Sequence, residues 1–285
     1  MLPATIDRLI DNGALTRGAA GLKARPKQAE DKLLGLLNQP REQHLLGRGL
    51  HLFQSGASAT MPSACGFLAA LLTKLAFAPA KGTVIWLTQG LAAREWGEPS
   101  PEGLARFGLS PDRILYVKSS KVADFLWCLE QAVSTKGVAA IVAETPDEAA
   151  FGLTETRRIA LKSTHTGVPC YLLAPSRNKN KNATSTATRW SITPAPSRAE
   201  GTLLGMPAWS LAMDKNRHGP CASGTAAFNP YTARFINAGA ASTEAVTPTL
   251  TGPVTVPAAE GTIGSAVVHL AKIRREKFEI AKERS

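Results

Sequence analysis

The sequence predicts an α/β fold: a mostly parallel sheet flanked by helices, with an antiparallel extension toward the C-terminus. Three observations lead there. Short unbroken apolar runs recur between residues 50 and 173, each about one strand long. Stretches with helical spacing of apolar residues separate them. Strands buried on both faces read as continuous apolar runs, and intervening helices are the crossovers that a parallel sheet requires. After Ala174 the pattern changes to half-buried alternation and turn-rich connections, which suits antiparallel strands.

The elements follow in order. Residues 1–26 are mixed and Gly/Ala-rich and read as a mobile arm. Residues 27–37 form a short helix with Leu33, Leu34 and Leu37 on one side, ended by Gln39-Pro40. Leu50-His51-Leu52-Phe53-Gln54 has strand character, and an apolar run over 63–76 suits a helix. A strand over 83–88 follows the Lys81-Gly82 turn. A short helix over 101–107 begins at Pro101, and a strand covers 114–117. The helix over 121–134 places Val122, Phe125, Leu126, Leu129 and Val133 on one face. A strand over 138–142 precedes a helix over 153–165, with Thr154 as N-cap and Gly167 as stop. Residues 170–173 form another buried strand.

A polar loop over 175–187 contains alternating Asn and Lys. Strands follow over 188–193, 208–213 and 224–228, the last two joined by the turn-rich 214–220. Residues 237–264 are dominated by Ala, Thr, Pro, Gly and Val, a linker composition. The last twenty residues look helical and charged. The domain reading is an N-terminal arm with a short helix over 1–40, a core over 41–236, a flexible linker over 237–265 and a basic amphipathic helix over 266–285.

The chain has 285 residues, 44% of them hydrophobic, enough for one good core plus appendages. A net charge of +11 favours nucleic acid or an acidic protein partner; the plainer reading is a basic protein with no such ligand. Cys65, Cys128, Cys170 and Cys221 form no C-x-x-C, and three of them read as small core residues. The five histidines show no ligand spacing, so no metal and no cofactor is expected. No secretory signal or membrane span is read, and the expected compartment is a reducing cytoplasm. Trp86, Trp127 and Trp190 are expected in the core, and Trp209 on an interface. Arg157 and Arg158 open a helix against its dipole, so one of them should have a partner, Glu155 or a group outside the chain.

Gly56-Ala57-Ser58-Ala59-Thr60-Met61-Pro62-Ser63 lies over the phosphate-binding pattern G-x-x-x-x-G-K-[ST]. The first glycine (Gly56) and the final hydroxyl (Ser63) are present. Met61 replaces the second glycine and Pro62 replaces the lysine. Pro62 offers neither charge nor N–H, and a charge-assisted hydrogen bond is worth roughly 1.5–3 kcal/mol. Proline does suit the first turn of a helix. The loop reads as a degenerate P-loop: the scaffold of a phosphate site without its chemistry.

Several strings resemble bacterial RecA-like proteins, and more closely the ImuA group, RecA-like accessory proteins of inducible mutagenesis cassettes. They are Arg113-Ile114-Leu115-Tyr116-Val117, Phe125-Leu126-Trp127-Cys128-Leu129-Glu130-Gln131-Ala132, Ala139-Ala140-Ile141-Val142-Ala143-Glu144, Leu153-Thr154-Glu155-Thr156-Arg157-Arg158-Ile159-Ala160-Leu161 and Ala187-Thr188-Arg189-Trp190. The segment from Pro207-Ala208-Trp209 to Asn216-Arg217 resembles a later W-x-x-x-L…N-R segment of the group. The resemblance covers about residues 41–220 and implies a RecA-like core.

In RecA-like enzymes a glutamate after the second core strand activates water. The corresponding residue here is Gln89, and an amide cannot act as that base. Glu144 stands where such enzymes place a magnesium-linked aspartate; its plainer role is a strand-end acid. Ser63 is expected to serve the helix N-terminus. The chain is therefore expected not to be an enzyme. In the resemblance the Asn/Lys loop corresponds to a DNA-contacting loop, where Arg177, Lys179 and Lys181 could touch phosphates; a solvated loop is the alternative. On the C-terminal helix, Leu270, Ile273, Ile280 and Ala281 project to one side with Val267 and Phe278 flanking, a stripe suited to helix-in-groove docking. Docking on its own core, or a solvated helix, would also account for it.

The resemblance implies a non-catalytic adaptor in damage-induced, error-prone DNA synthesis. It implies contact with an ImuB-like relative of the Y-family polymerases. RecA is a further candidate partner, and DNA is met directly or through partners. A residual DNA-dependent ATPase and a non-specific DNA-binding module stand as alternatives.

Overall fold

A computed structural model describes residues 27–40, 43–75, 82–176, 184–197 and 205–238. The expected arm over 1–26, nearly all of the linker and the C-terminal helix lie outside the described residues. Nine strands form one sheet: β1 (Leu50–Ser55), β2 (Thr83–Gln89), β3 (Ile114–Ser119), β4 (Val138–Glu144), β5 (Cys170–Pro175), β6 (Thr188–Pro194), β7 (Ala208–Asn216), β8 (Ser223–Asn229) and β9 (Arg234–Ile236). Their spatial order is β3-β2-β4-β5-β1-β6-β7-β8-β9. The first six pair in parallel, and β6 to β9 form an antiparallel meander. Mostly parallel pairing with an antiparallel extension is the architecture expected from the apolar runs.

Six helices are described: α1 (Lys27–Leu37), α2 (Met61–Leu75), α3 (Gly90–Trp96), α4 (Pro101–Arg106), α5 (Val122–Ser134) and α6 (Leu153–Thr166). The period-two alternation of strand side chains divides the core. Phe53, Trp86, Val142, Tyr171, Leu173 and Trp190 point to the face covered by α1, α2 and α4. Leu50, Leu52, Ile85, Leu87, Ile141 and Leu172 point to the face covered by α5 and α6. Both faces are covered, so the central strands carry no polar alternation for sequence to show.

Local rules explain the helix ends. Ser100 accepts the Gly103 N–H at 3.3 Å and Pro101 opens α4. Gly167 ends α6 in the left-handed region at φ 73° and returns its N–H to Ser163. Thr154 is not the N-cap of α6. A 3₁₀ turn over Glu148–Phe151, capped by Asp147, delivers the chain to Gly152, which takes the N-cap position without a side-chain bond.

The structure corrects other expectations. The buried stripe of α5 is Phe125, Cys128, Leu129, Ala132 and Val133, so Trp127 falls off the core face and is 43% exposed. Arg158 pairs with Glu130 of α5 at 2.9 Å, joined by Lys162 at 3.3 Å, rather than with Glu155. The turn after β7 starts late, since the strand runs on to Asn216. Sequence reading passed over α3 and β9, elements of seven and three residues.

Helix α1 packs on the antiparallel extension. Leu33 and Leu37 are fully buried, Glu30 accepts from Thr225 Oγ1 and Asn237 Nδ2, and Asn38 exchanges two hydrogen bonds with the Phe235 backbone. Asn38 thereby occupies the open edge of β9. Gly224 permits the approach: a Cβ there would lie 3.2 Å from Leu33 Cδ2 and 3.3 Å from Glu30 Cα. Gly224→Ala is expected to lower stability by about 1–3 kcal/mol, read as a shift of the urea midpoint.

Candidate functional site

The loop after β1 stands at the carboxyl end of a strand flanked by parallel β5 and β6, where open α/β sheets commonly bind ligands. Its interior is laced shut. Ser55 Oγ and Thr60 Oγ1 meet at 2.5 Å, and their two protons serve that contact together with the Ala57 carbonyl, 2.9 Å from Thr60 Oγ1, and the Ile192 carbonyl, 3.1 Å from Ser55 Oγ. The Thr60 and Met61 amides donate to Ala57 and Ser58 within the loop. Pro62 has no amide hydrogen. A phosphate would have to displace these bonds and would still find no cation in the pattern's lysine place.

Gly56 is exposed, has no positive φ, and a Cβ there would meet nothing within 4 Å. The backbone therefore imposes no requirement for glycine. Met61, in the second glycine's place, begins α2 at φ −61° and is fully buried in the core. Pro62 follows in the first turn, as its fixed φ favours. Ser63 does not cap the helix. It is the third residue of α2, and its carbonyl accepts the Trp209 indole N–H at 2.8 Å.

Gln89 and Glu144 lie at the carboxyl ends of neighbouring strands, with Thr88 in register with Glu144. Gln89 is buried, and its Oε1 accepts from Thr145 Oγ1 at 2.6 Å. Glu144 is wholly buried. Its Oε1 accepts from Trp86 Nε1 at 2.9 Å and Cys65 Sγ at 3.1 Å, and its Oε2 accepts from Thr88 Oγ1 at 3.1 Å. Burial raises the Glu144 pKa, against the opposing effect of those hydrogen bonds. Burial, reinforced by Glu144, holds the Cys65 thiol well above its ordinary range, so it donates a proton rather than acting as a nucleophile.

The structure thus joins Gln89 to Thr145 and Glu144 to Trp86, and leaves Gly56 and Pro62 at the surface. Arg177, Lys179, Lys181, Leu270, Ile273, Phe278 and Ile280 lie outside the described residues. Sequence reading missed the ring of donors around Glu144 and the adjoining cavity of about 210 Å³ beneath Trp96 and Phe107. The only signal was that Trp86 and Glu144 both sit in buried strands; their pairing is a matter of register. Among the described residues no group of three or more His, Cys, Asp or Glu side chains could hold a metal ion, and no helix is long and apolar enough to cross a membrane.

No family model matches the chain. Protein ImuA of Caulobacter vibrioides strain NA1000 / CB15N is 32% identical to it over 150 residues, which is 48% of this chain and 57% of that protein. Protein ImuA of strain ATCC 19089 / CIP 103742 / CB 15 matches to the same extent. The chain spans 57% of the length of the curated relatives it matches, and the relationship is a distant ImuA-like one.

Proposed function

We propose that the chain is an ImuA-type, non-catalytic adaptor with a degenerate RecA-like core, working in the ImuA/ImuB system of damage-induced mutagenesis. The 32% identity to Protein ImuA is the observation that carries this reading. The loop over 56–63 supports the non-catalytic part, since Ser55 and Thr60 close it and Met61 fills the place of a glycine. The parallel sheet with a helix after β1 and an antiparallel extension supports the RecA-like part. In this reading an ImuB-like polymerase relative is the protein partner, held through the segment containing Leu270, Ile273, Phe278 and Ile280. RecA is a further partner, and Arg177, Lys179 and Lys181 meet DNA phosphates.

Co-purification of the full chain with an ImuB-like protein is expected, and deletion of 266–285 should weaken it while leaving the core's cooperative unfolding intact. ATP turnover should stay at background with and without single-stranded DNA; DNA-stimulated turnover lost on Glu144→Ala would reject the adaptor reading. Replacing Arg177, Lys179 and Lys181 by Ala should flatten the salt dependence of single-strand binding by about 0.7 in log–log slope for each phosphate no longer neutralised. An unchanged slope removes the loop from the DNA surface.

A further inference from the structure

We propose that the cavity between α2, α4 and the ends of β2 and β4 is a cation site that receives a guanidinium group, going beyond the adaptor reading. Its volume of about 210 Å³ lies below the range for drug-sized ligands, so it suits a small cation or one side chain and not a nucleotide. Trp86, Trp96, Phe107 and Leu104 line it, with Glu144 at its buried end and Glu98 at the solvent end. Glu98 and Glu144 are the only charged residues among its described lining, in a chain whose net charge is +11. An anion would meet carboxylates and no cation there.

The polar atoms suit a flat cation. A carboxylate offers about four acceptor positions. Glu144 uses three, two on Oε1 and one on Oε2. The Trp96 indole N–H is directed at the same carboxylate but makes no well-formed hydrogen bond there. Guanidinium stacks on indole faces and pairs with carboxylate, and it is shed from water more readily than an ammonium ion. Its arrival would supply the counter-charge that a buried carboxylate lacks. At the solvent end Lys118 pairs with Glu98 at 2.5 Å but does not line the cavity, so Glu98 can be shared. The group can arrive on a free small molecule or on an arginine side chain; the chemistry is common to both.

The test is calorimetric titration of the full chain with ethylguanidinium and with its neutral counterpart ethylurea. Saturable binding of ethylguanidinium with a Kd on the order of 1 mM is expected, with ethylurea at least about tenfold weaker. Trp96→Ala and Glu144→Gln should each weaken binding about tenfold, while Trp127→Ala, at an exposed tryptophan elsewhere, should leave it unchanged. Should Glu144→Gln fail to fold, Trp96→Ala decides. An acetylated and amidated Gly-Arg-Gly peptide separates the sources: tighter binding than ethylguanidinium assigns a partner's arginine, and binding of ethylguanidinium alone assigns a free small molecule. Absence of saturable binding, equal binding of ethylurea, or indifference to Trp96→Ala overturns the proposal.

Discussion

Acidification from pH 8 to pH 4 should cost the fold about 3 kcal/mol for each of two buried histidines. Burial lowers His44 and His51 from an ordinary pKa of 6.5 to about 4. Their hydrogen bonds fit the neutral ring. The His51 Nε2–H donates to the Arg48 carbonyl at 2.7 Å, and Nδ1 accepts from Thr188 Oγ1, which itself accepts the Trp190 indole N–H. His44 Nδ1 accepts the Leu46 amide, and its Nε2–H points to the Leu37 carbonyl. A proton on His44 Nδ1 would set donor against donor, while at His51 the Thr188 hydroxyl would have to turn and accept instead.

The direction follows from linkage. Between pH 6.5 and 4 the unfolded chain binds a proton at each ring and the folded chain does not, so stability falls by about 1.4 kcal/mol per pH unit per histidine. Glu144 acts oppositely. Its folded pKa is raised, so the penalty it imposes at neutral pH fades as pH falls through that value. Urea midpoints at about pH 8, 6, 5 and 4.5 measure the net slope. His51→Leu should remove its share of that slope; a variant that keeps all of it would show that this ring titrates normally.

Trp209→Ala should destabilise the protein by about 3–5 kcal/mol, near a 10 °C loss in Tm for a domain of this size. Sequence reading placed Trp209 on an interface. Instead it is 2% exposed, packs edge-on against Phe67 at a ring separation of 5.6 Å, and donates to the Ser63 carbonyl in the first turn of α2. One side chain therefore pins the antiparallel extension to the helix that follows the loop. Trp209→Phe should retain the ring contact and lose about 1–2 kcal/mol for the missing hydrogen bond. An alanine variant within about 1 kcal/mol of the parent protein would show that the extension does not depend on this clamp.

Much of the fold was legible because its signals are local. The apolar runs at 83–88, 138–142 and 170–173 became central strands, and Gly167 ended α6 where the left-handed region was needed. Misreadings arose where a partner distant in sequence set the outcome. Trp127 lies inside an apolar helical stretch, but the sheet takes the stripe beginning at Phe125, and Trp127 is left outside. Thr154 is the local exception: it has the right chemistry for a cap, yet the adjoining turn over Glu148–Phe151 hands the cap position to Gly152.

The candidate site divides along the same line. The amino-acid string alone determines that no lysine and no second glycine stand in the loop over 56–63, because those are facts of residue identity. Its apolar periodicities likewise determine that helices alternate with buried strands. Tertiary structure decided that Ser55 and Thr60 close the loop, that α1 seats on β8 and β9, and that Glu144 meets Trp86, Thr88 and Cys65. Those contacts join strands and helices up to 197 residues apart. Their geometry is set by sheet register and burial, quantities that exist only once the whole chain has packed.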